Sequence, residues 1–355
     1  MEITLDVVLI VAVAFLVAFL ASFASTPLAV KIAYKIGAVD VPKDSRRMHK
    51  KPIPRLGGIA IVFGFLVAVV CFCVLPWELV GILLGSLIIV GLGILDDRKP
   101  IPAIIKFGVQ IVAACIPVLF GVKIEMFTNP NLFSPEEYWA LGMLSIPITI
   151  FWIVALTNAV NLIDGLDGLA AGVASISSLC MLVIALLVSE MNIAVFCACL
   201  AGAIFGFLPY NFNPAKIFMG DSGSTFLGYI LACISIEGLF KGYAVISFAV
   251  PLLVVALPLF DTSTAILRRI KNKKPIMAPD RGHIHHKLID MGFSQKQAVL
   301  ILYSISAVLG ITAILVTQFG AIRALMLILA AVVFVVLWYF FINKSKNEET
   351  DNNEE

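Results

Sequence analysis

Apolar runs close to twenty residues long alternate along this chain with connections of two kinds, short, nearly uncharged turns and longer polar loops. Eleven runs are legible, at about 4–30, 57–75, 79–95, 102–122, 139–157, 169–188, 192–210, 224–240, 244–267, 297–318 and 322–342. A helix of about 20 such residues rises roughly 30 Å, the thickness of a bilayer's hydrocarbon core. The pattern therefore predicts an all-α polytopic membrane protein with about eleven transmembrane helices. Residues 1–342 read as a single integral domain without internal repeats, and the polar tail 343–355 reads as disordered. The first run lacks a basic leader and continues into Ala29, beyond signal-peptide length, so it is expected to be a transmembrane helix.

Composition agrees. Of 355 residues, 61% are hydrophobic and only 14% charged, and the mean hydropathy is +1.03. A soluble domain of this length has no use for that much apolar surface. The net charge of +2 says little, but its distribution says more. Of the 25 Lys and Arg, all but Lys123, Lys241 and Arg323 fall in alternate connections: 31–56, 96–106, 211–221, 268–296 and the tail. The positive-inside rule then places the N-terminus outside and the C-terminus in the cytoplasm. Asp96, Asp97, Asp164, Asp167, Asp221, Asp280, Asp290 and all four histidines share the basic side. One cytoplasm-facing site assembled from five connections is the expectation. All seven cysteines sit inside apolar runs and read as small hydrophobes.

The stretch Thr157–Gly172, TNAVNLIDGLDGLAAG, breaks the apolar pattern with Asn158, Asn161, Asp164 and Asp167. Polar groups are costly in hydrocarbon unless paired, so such a cluster marks function in preference to a helix cap. A regular helix would turn Asn158 and Asp167 about 180° apart. Unwinding at Gly165 and Gly168 would let all four converge on one aqueous pocket.

Three further pieces carry chemistry. Asp96-Asp97 end the third run in GILDDRKP, where their mutual repulsion calls for a metal ion, Lys99 or Lys106 as counter-charge. FMGDSGSTFLG (218–228) opens an apolar segment with small residues, and its Asp221 reads as a Mg²⁺ ligand in preference to an N-cap. PDRGHIHHKL carries His283, His285 and His286 beside Arg281 and Lys287; without zinc spacing, these suit hydrogen bonding to phosphate. Arg46, Arg47, Lys50 and Lys51 read as topology charges, and Asp261, inside PLFDTST, as a structural partner of Arg268 or nearby hydroxyls. Acidic metal-binding groups facing cationic phosphate binders under a bilayer suit phosphoryl transfer from a soluble anionic donor to a lipid.

NLIDGLDGLAAG, FMGDSGS, the Asp pair and PDRGHIHH, with IPRLGG before the second run, resemble the polyprenyl-phosphate N-acetylhexosamine 1-phosphate transferases over about residues 30–300. HIHH and IPRLGG favour the undecaprenyl-phosphate N-acetylglucosamine 1-phosphate transferase branch. The phospho-N-acetylmuramoyl-pentapeptide transferase branch of peptidoglycan synthesis has three consecutive histidines and TPTMGG there, and its reaction is the alternative. A secondary transporter is the remote one, since its polar groups would sit at the midplane.

The resemblance implies transfer of N-acetylglucosamine 1-phosphate from UDP-N-acetylglucosamine to undecaprenyl phosphate, with Mg²⁺ (or Mn²⁺). It implies a multi-pass protein of the bacterial cytoplasmic membrane with its site on the cytoplasmic face. The product would enter a teichoic acid or lipopolysaccharide pathway. A homodimer is compatible and no nucleic-acid partner is expected. By the same resemblance, Asp221 is a metal ligand with Asn161 as companion, and Asp96 and Asp97 are the catalytic pair. Asp164 and Asp167 line the nucleotide pocket, Asp167 near the uracil, and Phe218 packs on the base. Lys106 binds phosphate, and Arg281, His283, His285 and His286 surround the diphosphate. The lipid phosphate has a second pKa near 6, so much of it is doubly ionised at neutral pH. The Asp pair is therefore expected to orient it or share a proton, with direct attack favoured over an aspartyl-phosphate on Asp221.

Overall fold

A computed structural model of the chain describes residues 5–42, 51–128, 138–240, 249–273, 275 and 282–318. Arg281, Asp280, the run 322–342 and the tail lie outside the described residues. The apolar runs become helices α1 (Leu5–Ile36), α2 (Gly58–Phe72), α3 (Trp77–Arg98), α4 (Ala103–Leu119), α5 (Ser145–Ile163), α6 (Leu169–Leu187), α7 (Met191–Asn211) and α8 (Gly220–Ile234). After them come α9 (Ala249–Val254), α10 (Ala256–Lys271), α11 (Ile284–Asp290) and α12 (Gln295–Gln318). Leu5–Ile36, Trp77–Arg98, Gly142–Ile163, Leu169–Leu187, Met191–Asn211 and Gln295–Thr317 are each long and apolar enough to cross a membrane; α2 and α4 are shorter apolar helices. The molecule is an all-α, multi-pass membrane protein.

Two runs depart from the simple pattern. The run 244–267 is not one straight helix: α9 and α10 are separated at Val255. Pro251 and Pro258 lack N–H donors and weaken the continuous helical ladder there, which hydropathy alone does not register. The run 224–240 begins earlier than its apolar residues, at Gly220, and ends in a π-helical turn, Ser235–Phe240. Two small antiparallel ribbons complete the described residues: β1 (Val39–Asp40) with β2 (Ile53–Pro54), and β3 (Met126–Thr128) with β4 (Tyr138–Ala140).

Packing places α8 at the centre. Apart from Asp221, every residue from Gly220 to Ile234 is buried, as expected of a helix apolar on all sides. It lies against α2, α3 and α5. A Cβ on Gly93 of α3 would collide with the Asp221–Ser222 backbone, so the glycine sets the approach of α3 to the start of α8. Between α1 and α7 the contact is made by small residues. Ala14, Ala18, Ser22, Thr26, Ala29 and Ala33 are buried on α1, and Gly202 and Gly206 of α7 press on the carbonyls of Phe15 and Phe19. In a bilayer, where lipid removes the hydrophobic drive between helices, close backbone approach of this kind supplies the packing energy. The result brings the ends of α3 and α5 and the start of α8 to one place.

Candidate active site

Asp97 and Asp96, adjacent in sequence, do different things. Asp97 is buried, and its two oxygens accept the N–H groups of Asp221 (2.8 Å) and Ser222 (3.0 Å). It therefore caps α8 from another helix, where the free amides and the positive end of the helix dipole favour a carboxylate. Gly220 makes this geometry accessible. Its φ is +73°, and a Cβ there would strike the Arg55 carbonyl and the Asp97 carboxylate. Asp96 instead accepts the Ile101 N–H at 2.7 Å and faces the Lys106 ammonium at 3.1 Å.

Lys106 also reaches Asp221 Oδ2 at 2.9 Å, so one ammonium bridges Asp96 and Asp221. Around this bridge is a cavity of about 20 Å³ lined by Asp96, Lys106, Gln110, Asn158, Asn161, Asp221 and Thr225. That volume holds a water or a small ion. Asn158 donates to Gln110 Oε1 at 2.6 Å, and Asn161 donates to Ser224 Oγ at 2.9 Å.

The Asn/Asp stretch unwinds where its glycines predict. α5 ends at Ile163, Gly168 takes φ +80°, and α6 starts at Leu169. Tyr303 of α12 donates to the Gly168 carbonyl at 2.5 Å, and Asn211 accepts its N–H at 3.1 Å. The four polar residues nevertheless do not meet in one pocket. Asn158 and Asn161 line the cavity. Asp167 turns instead to the α7–α8 connection, with one oxygen accepting from Asn213 (2.9 Å) and the Ala215 N–H (3.0 Å). The break at 164–168 reverses the chain, and the second half of the motif follows the turn. Asp164, at the break, has its carboxyl pushed up to about 7 by burial, then by the negative charges of Asp221 and Asp97.

In the histidine segment, Asp261 pairs with His283 Nδ1 at 2.8 Å and accepts the Ile284 N–H at 2.8 Å. These contacts add His283 and the Ile284 amide to the structural role expected of Asp261. A carboxylate within α10 thus holds the start of α11. His285 is buried against Gly165, occupying the space a Cβ there would need. Burial and, next, the charge of His286 lower its pKa to about 3, so it contributes a neutral ring and no positive charge. His286 packs on it with ring centroids 4.3 Å apart. Phe218 is half-buried, and its N–H donates to Pro54 O at 2.8 Å.

Sequence reasoning passed over Arg55, Gln110 and the Asp261–His283 pair. Arg55 Nη2 lies 3.7 Å from Asp97 Oδ1 and 3.9 Å from Asp221 Oδ1. Its signal was present in IPRLGG but submerged among the other positive charges of loop 31–56. Among the described residues, no three His, Cys, Asp or Glu side chains converge as a ready-made metal cluster. The donors around the cavity are carboxylate and carboxamide oxygens, the hard ligands that Mg²⁺ prefers, and it commonly takes only one or two carboxylates from protein. An ammonium already sits between Asp96 and Asp221, which is where a cation is electrostatically welcome.

The comparisons with known proteins agree with this arrangement. The model of glycosyl transferase family 4 matches residues 79–239, from α3 into the turn after α8. A probable undecaprenyl-phosphate N-acetylglucosaminyl 1-phosphate transferase of Bacillus subtilis (strain 168) is 41% identical over 285 residues, covering 80% of this chain and 78% of that protein. A decaprenyl-phosphate N-acetylglucosaminephosphotransferase of Mycobacterium tuberculosis is 34% identical over 304 residues, 77% of this chain and 74% of that one. An undecaprenyl-phosphate alpha-N-acetylglucosaminyl 1-phosphate transferase of Salmonella typhi is 32% identical over 294 residues, 80% and 79%. On these similarities, the family match spanning every residue that lines the cavity, the chain belongs to glycosyl transferase family 4.

Proposed function

We propose that this protein transfers N-acetylglucosamine 1-phosphate from UDP-N-acetylglucosamine to undecaprenyl phosphate, releasing UMP, at a site on the cytoplasmic face of a bacterial membrane. The observation that carries the reading is the Asp96–Lys106–Asp221 bridge in a cavity at the ends of three helices. The names of the relatives supply the lipid acceptor and the sugar. Eleven spans, N-terminus outside and C-terminus inside, complete the proposal on the division of Lys and Arg.

In this reading an oxygen of the lipid phosphate attacks the sugar-linked phosphorus, and the bond from that phosphorus to the anhydride oxygen breaks. UMP leaves with that oxygen. Mg²⁺, held by Asp221 with Asn161, supplies neutralisation of the diphosphate's charge when bound. Lys106 takes the phosphate of the acceptor, and Asp96, fixed by the Ile101 N–H, orients that lysine. Because the acceptor is already largely ionised, Asp96 and Lys106 need to position it and not to deprotonate it. Asp97 holds the Asp221 backbone still by capping α8. Phe218 and Asp167 serve the uridine, and Arg281, His283 and His286 the diphosphate.

The experiment is direct: purified protein, radiolabelled UDP-N-acetylglucosamine, undecaprenyl phosphate and Mg²⁺. A labelled lipid product and UMP in equal amounts are expected, and Lys106→Gln should lose most of the rate. Absence of lipid product from active-site-intact protein overturns the proposal.

A further inference from the structure

Among the described residues, Arg55 is the one cation beside Asp221 that the proposed transfer leaves without a task. Backbone bonds set its position. Arg55 N donates to Ala38 O at 3.0 Å, Phe218 N to Pro54 O at 2.8 Å, Gly57 N to Phe218 O at 2.9 Å and Gly58 N to Met219 O at 2.8 Å. The segments IPRLGG and FMGDSG thus run side by side, which brings Arg55 next to the stretch that carries Phe218 and Asp221.

Its side chain is poorly explained as a structural counter-ion. The separations from Asp97 and Asp221, 3.7 and 3.9 Å, exceed hydrogen-bond reach. Both Asp97 oxygens are already satisfied by α8 amides, and Asp221 has its close contact with Lys106. Among the described residues the guanidinium makes no hydrogen bond, and the side chain is 32% exposed. A fork of five N–H donors, fixed at its root, half-open and lacking close acceptors, matches a phosphate oxygen pair.

The two cations lie on different oxygens of Asp221. Lys106 takes Oδ2, on the cavity side with Asp96, Gln110 and Asn158, while Arg55, which does not line that cavity, faces Oδ1 from the segment whose backbone pairs with Phe218. A transfer between two phosphorylated substrates needs both phosphates near one another and each with its own counter-charge. We propose that Arg55 contacts the substrate, gripping the diphosphate of the nucleotide-sugar donor, while Lys106 serves the acceptor. The assignment rests on the transfer reading and its placement of Phe218 at the uracil.

The test uses full-length protein in detergent, with UDP, uridine and undecaprenyl phosphate as probes. By calorimetry, Arg55→Gln should weaken UDP about tenfold to a hundredfold, the loss expected for hydrogen bonds to a charged group. Uridine affinity and the KM for undecaprenyl phosphate should stay put. Arg55→Lys retains the charge without the fork and should fall between the two. It also decides the matter should Arg55→Gln fail to fold, since a lysine variant with wild-type UDP affinity overturns the proposal. Unchanged UDP binding in Arg55→Gln, or a shift confined to the lipid acceptor, overturns it as well. Wild-type protein that binds UDP through Arg55 yet makes no lipid product would sink the transfer reading alone. Full turnover with UDP binding indifferent to Arg55 would sink this inference alone.

Discussion

Replacing Asp97 by Asn separates a helix-capping carboxylate from a catalytic base. The wild-type side chain is buried and both its oxygens accept backbone N–H groups, at 2.8 and 3.0 Å. Asparagine keeps one acceptor and turns an NH2 toward the other amide, leaving a buried N–H unsatisfied. One hydrogen bond to a charged acceptor is worth about 1.5–3 kcal/mol. Loss of negative charge at the α8 N-terminus adds about 0.3–1 kcal/mol. Release of the desolvation penalty of a buried carboxylate, and of the repulsion from Asp221, offsets much of this, so a net destabilisation of about 1 kcal/mol is expected. Thermal unfolding of the detergent-solubilised protein, followed by tryptophan fluorescence, reads it as a lowered midpoint. The same displacement of the Asp221 backbone should lower kcat at every pH. Asp96→Asn should instead lower kcat through a misplaced Lys106 and leave the midpoint closer to wild type. An Asp97→Asn protein of unchanged stability whose rate recovered as pH rose would refute the capping account and make Asp97 a base.

Four further outcomes follow from the same geometry. Gly220→Ala forces a Cβ into a left-handed backbone and onto the Asp97 carboxylate, so it should cost more than about 1 kcal/mol of stability and abolish turnover. Asp164, raised to about 7, binds its proton more tightly folded than unfolded, so its contribution to stability is lost as pH rises from about 4 through 7. Asp164→Asn should flatten the unfolding midpoint across that window and raise it at pH 8; an unchanged profile would refute the shift. His285, lowered to about 3, has the opposite sign: stability present above its ordinary pKa is lost as pH falls through that window toward 3, and His285→Gln should soften the acid loss. Comparing each variant with wild type isolates the two terms where their windows overlap. For orientation, cysteines introduced at Ser134 and Glu190 should react with an impermeant reagent on intact cells, and those at Ser45 and Ile276 should not; the reverse would invert the site's assigned face.

Long, strongly apolar segments were legible to within a residue or two: 169–188 and 192–210 became Leu169–Leu187 and Met191–Asn211. Their length and composition suffice because a bilayer accepts little else. The break between α9 and α10 was not legible, since Val255 sits in an unbroken apolar run and the interruption depends on prolines at either side. The membership of the site was largely readable, because charge at the end of a membrane helix has few other uses. What each carboxylate does was not. Asp96 and Asp97 are neighbours in sequence, yet one faces Lys106 and the other caps a helix more than a hundred residues away. Asp261 and His283 likewise meet across 22 residues, which spacing alone did not announce. Arg55 was hidden for a different reason: positive charge in a loop that the Lys and Arg distribution reads as cytoplasmic already has a topological explanation, which masks a chemical one.

Donor choice tests the central claim most directly. The uridine and diphosphate are common to both candidate donors, so discrimination falls to loops around the sugar, where steric exclusion is an effective device. Purified protein is given undecaprenyl phosphate and Mg²⁺ with either UDP-N-acetylglucosamine or UDP-N-acetylmuramoyl-pentapeptide, and lipid product and UMP are measured. The account predicts product from UDP-N-acetylglucosamine alone; product from the pentapeptide donor alone would contradict it.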